Sequence, residues 1–110
     1  MSRTDEELVR DALNHLDMLK YHLAQGPFED PTISDAVNMR LAAALETISQ
    51  TSTVLRETYF SDDWRHMKSM RNRISHGYSL LDLELVQGTI ELDVPHFELQ
   101  LRKALAEIST

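Results

Sequence analysis

Apolar residues recur along most of the chain at three- and four-residue spacings, the period of helices that each bury one face. The first run is Leu8, Val9, Ala12, Leu16, Leu19 and Leu23. Thr4 stands ahead of it with Glu7 three residues on, a capping-box arrangement that predicts a helix starting near Thr4. Gly26-Pro27-Phe28-Glu29-Asp30-Pro31 predicts a loop. A second run, Val37, Leu41, Ala44, Leu45, Ile48, Val54 and Leu55, predicts one long helix capped at Thr32, Ser34 or Asp35 and reaching about Tyr59. Within it, Ala42-Ala43-Ala44 would let another helix approach closely. A third helix, capped by Ser61 or Asp62, carries Met67, Met70, Ile74 and Leu81 on one side, with Trp64 and Tyr78 at the edge. The last runs from Pro95 to about Ile108, with proline in the first turn and Phe97, Leu101, Leu105 and Ile108 at helical spacing.

One segment resists this reading. Leu83, Leu85, Gly88, Ile90, Leu92 and Val94 alternate with polar residues as a β-hairpin would. Leu81, Leu85 and Leu92, with Val86 on a neighbouring face, equally fit a helix capped by Asp82. Periodicity leaves both open.

Composition narrows the class. A chain of 110 residues forms one domain, 1–110, with a modest core. It has no cysteine, so neither a disulfide framework nor a thiolate metal site is available. The acidic N-terminus lacks the apolar run of a signal peptide, and no stretch approaches transmembrane length. The expectation is a cytoplasmic protein that makes no use of a membrane.

Charge changes the picture most. The net charge is −7, which argues against broad affinity for nucleic acid. Yet four of the eleven Lys and Arg residues, Arg65, Lys68, Arg71 and Arg73, fall within nine positions with no acid among them. A cationic island in an acidic chain is a place for an anion. On a helix, Arg65, Lys68, Asn72 and His76 share the side opposite the apolar stripe, and Asn72 and His76 stack as i and i+4. Arg71 supplies a fixed charge, Asn72 a donor and acceptor, and His76 a proton shuttle titrating near neutrality, a set suited to phosphodiester chemistry. Arg71 and His76 stand about 140° apart on a regular helix. To meet at one phosphate they need a long reach, a bend near Gly77, or a second copy of the helix. The same residues also describe a solvated helix face, with His76-Gly77 as an ordinary helix end. His15 and His22 lie seven apart on the first helix with only Asp11 nearby, too few ligands for a metal.

Arg71-Asn72-Arg73-Ile74-Ser75-His76-Gly77-Tyr78 resembles the signature of the HepT-like branch of the HEPN superfamily: Arg, a polar residue, His five positions after the Arg, and Tyr two further on. Asp62-Asp63-Trp64-Arg65 is similar to the lead-in to that helix, and Asp35 through Glu46 resembles the helix before it. Leu81-Asp82-Leu83-Glu84 and Val94-Pro95 resemble the family's segments C-terminal to the motif. The resemblance covers nearly the whole chain. It favours helix over hairpin for residues 83–94, and so implies an all-α fold, an up-and-down four-helix bundle with a short fifth helix, assembled as a homodimer.

The resemblance further implies the toxin of a toxin–antitoxin pair, a ribonuclease that needs no metal and no other cofactor. The RNA's own 2′-hydroxyl would attack the adjacent phosphorus, with His76 moving protons, Arg71 holding the phosphate, and Asn72 orienting His76 or the phosphate. Arg65, Lys68 and Arg73 would guide the RNA backbone. Glu46 would pair with an arginine, Arg71 being the candidate in the cleft. Tyr78 would be the residue to which a partner nucleotidyltransferase of the minimal (MNT) type attaches AMP, its phenol reachable at the cleft mouth and its ring on Met70 or Ile74. The reading from another class is a non-catalytic bundle that serves a nucleotidyltransferase as a dimerisation and nucleotide-binding partner.

Overall fold

The structure, a computed structural model, describes residues 3–76 and 83–109, and of His76 the backbone alone. Helix α1 spans Asp5–Leu23 and starts where expected, the Thr4 Oγ1 accepting from the Glu7 N–H at 3.1 Å. Asp5, Glu6 and Glu7 occupy its first turn and Lys20 and His22 its last, each sign at the favourable end of the helix dipole.

Helix α2 spans Pro31–Ser49, and its cap is Asp30 rather than Thr32, Ser34 or Asp35. Pro31 has no N–H to satisfy and suits the first helical position, while the Asp30 carboxylate accepts from the Thr32 N–H at 2.9 Å. The single long helix expected to reach Tyr59 is two helices. α2 stops at Ser49, and α3, Thr53–Phe60, starts afresh after Ser52. The intervening hydroxyls compete for backbone partners: Thr51 donates to the Ile48 carbonyl at 2.6 Å, and Ser52 Oγ accepts from the Leu55 N–H at 3.1 Å. Ser52 also gives its N–H and hydroxyl to the Asp5 carboxylate, at 2.8 and 2.6 Å. Restarting the helix changes its phase. Leu55 is buried as expected, but Val54 is 73% exposed.

Helix α4 spans Trp64–His76 and comes after a turn over 61–63. The Asp63 carbonyl accepts the Met67 N–H at 2.9 Å, so the flanking residue is Asp63, one or two positions later than expected. Beyond the motif, α5 (Leu83–Gly88) passes through a π turn (Thr89–Asp93) into α6 (Val94–Ile108). Gly88 and Asp93 both keep right-handed helical backbone, so 83–108 is one helical run, and no strand occurs among the described residues. Its buried side is Val86, Ile90, Val94, Phe97, Leu101 and Ala104, in steps of three and four. Leu85 and Leu92, expected on the inner face, are exposed, Leu92 by 77%.

The helices form a single bundle: α1 lies along α2 and α6, α4 packs on α2, and α3 on α6. Leu16, Leu19, Leu41, Leu45, Ile48, Phe60, Met67 and Leu101 are fully enclosed between them. Truncating one such leucine to alanine costs about 2–5 kcal/mol. At the far end, the Tyr59 phenol donates to Glu107, joining α3 to α6; that bond, burial and the Glu107 charge raise its pKa above 10.0. Among the described residues no helix is long and apolar enough to cross a membrane.

Candidate functional site

Helix α4 presents two faces, as its spacing predicted. Met67, Met70 and Ile74 are buried against α2 and the core, while Arg65, Lys68, Asn72 and Arg73 are exposed. Its N-terminal end is fastened by two reciprocal pairs. His66 Nε2 lies 2.9 Å from the Asp93 carboxylate, and His96 Nε2 lies 2.8 Å from that of Asp63. Each helix thus contributes an aspartate and, three residues on, a histidine to the other. Exposed pairs of this kind stabilise by about 0–1 kcal/mol each, but both act on the orientation of α4.

Arg71 sits at the border of α4 and α2, its side chain 24% exposed. Its Nη1 donates to the Glu46 carboxylate at 3.1 Å, the partner anticipated for Glu46. On the opposite edge its Nε and Nη2 both donate to Asn72 Oδ1, at 3.3 and 3.1 Å. A guanidinium carries five N–H donors; three are engaged among the described residues, which leaves one on each terminal nitrogen. Asn72 here holds Arg71.

The exposed face of α4 forms an open groove of about 820 Å³, lined by Trp64, Arg65, Lys68, Ser69, Asn72 and Arg73, with Ser61 at one end. Three of the four island cations therefore line one groove, and Arg71 does not. Asn72 belongs to both, lining the groove while gripping Arg71. The backbone of His76 is the last residue of α4, which runs as an unbroken α-helix from Arg71. The side chain of His76, Tyr78, Leu81 and the Asp82 cap lie outside the described residues.

Among the described residues no group of three or more His, Asp or Glu side chains could hold a metal ion. His15 belongs to a surface network instead. Its Nδ1 lies 3.1 Å from Arg40 Nη1 and its Nε2 3.8 Å from Asp11.

Two residues escaped the sequence reading. Arg56 lies over the Trp64 ring, its Cζ 5.2 Å from the centroid, and donates to the carbonyls of Ser49, at 2.8 Å, and Thr51. No spacing rule announces that contact. Asn38 is 1% exposed, and among the described residues neither its Oδ1 nor its Nδ2 has a hydrogen-bond partner. It lines a cleft of about 370 Å³ between α2 and the end of α4, with Met39, Ala42, Ile74 and Ser75. Its position between Val37 and Leu41 on the apolar stripe was the available signal.

Two comparisons with known proteins bear on this geometry. A family model described as "Ribonuclease HepT-like" matches residues 5–104. The chain is also 22% identical over 107 residues to the "Probable ribonuclease HepT" of Thermococcus cleftensis, an alignment that covers 94% of this chain and 97% of that protein. No solved structure matches the chain significantly.

Proposed function

Because this chain belongs to the HepT-like ribonuclease family, we propose that it is a toxin endoribonuclease that cleaves RNA without a metal, acts as a homodimer in the cytoplasm, and is silenced by AMP attachment at Tyr78. The observation that carries the reading is the state of Arg71. Among the described residues it is held by Glu46 and Asn72 beside a cationic groove, with a donor left on each terminal nitrogen, about 1.4 turns before His76.

In this mechanism the 2′-hydroxyl of one nucleotide attacks its own 3′ phosphorus. His76 relays the protons, taking one from the hydroxyl or giving one to the departing 5′ oxygen, and the products are a 2′,3′-cyclic phosphate and a free 5′-hydroxyl. Arg71 donates to the non-bridging oxygens as their charge builds. Asn72 keeps Arg71 aimed, and Arg65, Lys68 and Arg73 hold the flanking phosphates.

The dimer is inferred from angle. With α4 an unbroken α-helix from Arg71 to His76, positions 71 and 76 lie about 140° apart around its axis. Gly77, where a bend was the alternative, lies outside the described residues; a second copy of the helix would bring an Arg71 and a His76 to the same phosphate. An AMP on Tyr78 adds charge and bulk beside the groove cations and so competes with RNA. The enzyme that attaches it is a nucleotidyltransferase of the MNT type, the antitoxin of the pair.

The test is direct. Purified wild type, His76→Ala and Arg71→Ala are incubated with total RNA in EDTA. Wild type cuts and leaves cyclic phosphate ends; both variants stay folded by circular dichroism and lose cleavage. Wild-type cleavage rates in either variant sink that residue's role.

A further inference from the structure

Trp64 has no part in the cleavage mechanism, yet it stands at the head of the row that the groove tracks. Trp64, Lys68, Asn72 and His76 succeed one another at four-residue intervals, one ridge along α4. From the first to the last is about 18 Å at ~1.5 Å per residue. The ring is half-buried, packed at its edge on the core, and it lines two cavities at once. One is the cationic groove; the other, of about 300 Å³, is lined by Thr53, Arg56, Glu57, Ser61 and Trp64. Trp64, together with Ser61, lines both. Arg56 lines the smaller cavity and not the groove, so a ligand in the groove meets the indole without that guanidinium between them.

Arg56 is itself immobilised. It donates to the carbonyls of Ser49 and Thr51 at the end of α2 and to Thr53 Oγ1 at 3.4 Å. A pinned cation over one surface of an indole holds the ring in place before any ligand arrives. On the groove side Arg65 and Lys68 come next, placed for the phosphates adjoining whatever the ring holds. A planar aromatic at the end of a track of cations is the arrangement that takes single-stranded nucleic acid, bases stacking on the ring and phosphates on the charges.

We propose that Trp64 is a stacking platform for one unpaired base of the RNA, on the order of three to five nucleotides from the phosphate that is cut, with Arg56 as the residue that positions the ring. The proposal rests on the RNA-cleaving reading of the same helix. It assigns the groove a direction, with the base held at the Trp64 end and chemistry at the His76 end. Stacking accepts any base, so the platform adds affinity and length preference and reads no sequence.

Trp64 is the one tryptophan of the chain, so its own fluorescence reports on the site. The probe is a DNA octamer, which lacks the 2′-hydroxyl and cannot be cut, beside an octamer of the same backbone with abasic sites throughout. Binding is measured by anisotropy and stacking by quenching of Trp64. The expected result is quenching by the normal octamer, none by the abasic one, and affinity about tenfold or more higher for the normal strand. Trp64→Leu should erase that difference and Trp64→Phe should keep most of it. Anisotropy that shows binding with Trp64 unquenched, equal affinity for the two strands, or no binding of either overturns the platform without recourse to a variant. The outcomes separate the two readings. Quenching in a protein that cuts no RNA keeps the platform and ends the nuclease, whereas cutting without quenching does the reverse.

Discussion

The guanidinium of Arg71 lies 3.1 Å from the carboxylate of Glu46, which is more exposed than the arginine it holds, 55% against 24%. An anion within reach of the arginine assigned to phosphate competes with that phosphate. An ion pair so open to water is worth about 0–1 kcal/mol, which a phosphate can displace. Glu46→Gln keeps a hydrogen-bond acceptor and removes the charge, so binding of an uncleavable DNA strand should tighten about two- to fivefold at low salt. Weaker binding, measured by anisotropy, would show that Glu46 acts chiefly by aiming Arg71.

Lys68 lines the groove and makes no ion pair among the described residues. Its proposed role as a backbone contact predicts a particular signature. Lys68→Ala should weaken binding of every sequence alike and lower the slope of log K against log salt by about 0.7, the value for one phosphate on a single strand. A sequence-dependent loss, or an unchanged slope, removes Lys68 from the track.

The apolar stripes of α1 and α4 were legible because each helix buries one face and starts close to a polar cap or turn, so period and burial coincide. The charged face of α4 could be read for the same reason. Pairing across the bundle could not be read in general, though Arg71–Glu46 was, since the family resemblance had pointed to it. The missed features are tertiary. The hydroxyl run from Ser49 to Thr53 was a local sign of a break that the apolar spacing of Val54 and Leu55 masked, and no local pattern shows Asp5 arriving from α1 to take the Ser52 N–H and hydroxyl. Periodicity left the 83–94 segment open between hairpin and helix because Ile90 and Val94, four apart, also satisfy a period of two; the resemblance favoured the helix that is found, while the π turn that seats them is invisible to either template.

Ser52 is where those tertiary choices meet, so its loss should be felt. It caps α3 through Leu55 and anchors the junction to Asp5. Ser52→Ala should cost about 1–2 kcal/mol, lowering the melting temperature by about 4–8 °C for each kcal/mol. Thr58→Ala, at an exposed hydroxyl that among the described residues bonds only the Val54 carbonyl at 2.7 Å, should change stability by less than about 0.5 kcal/mol. Equal effects at the two sites would remove Ser52 from its role as a junction.

The proposed silencing through Tyr78 makes a prediction by mass. Co-expressed with an MNT-type nucleotidyltransferase, ATP and a divalent metal, the wild type should gain whole AMP units in intact-mass spectra, and Tyr78→Phe none. The Phe variant should remain toxic in the presence of the partner. Additions that persist on the variant place the modification elsewhere and leave steric masking as the means of control.

Asn38 yields the last prediction. Its amide is enclosed on the apolar stripe of α2 between Val37 and Leu41, with both polar atoms unpaired among the described residues. A buried polar group without a partner costs about 1–3 kcal/mol, whereas an apolar side chain of similar volume carries no such penalty. Asn38→Leu should therefore leave stability unchanged or raise it by about 1 kcal/mol, read from urea unfolding at two protein concentrations. Asn38→Ala, which removes the amide and leaves a void, should recover less. A loss of more than about 1 kcal/mol in the Leu variant would mean that the amide is satisfied in solution. If that loss shrinks on dilution, the partner is on a second copy of the chain, beside Met39, whose side chain stands 71% exposed at the mouth of the same cleft.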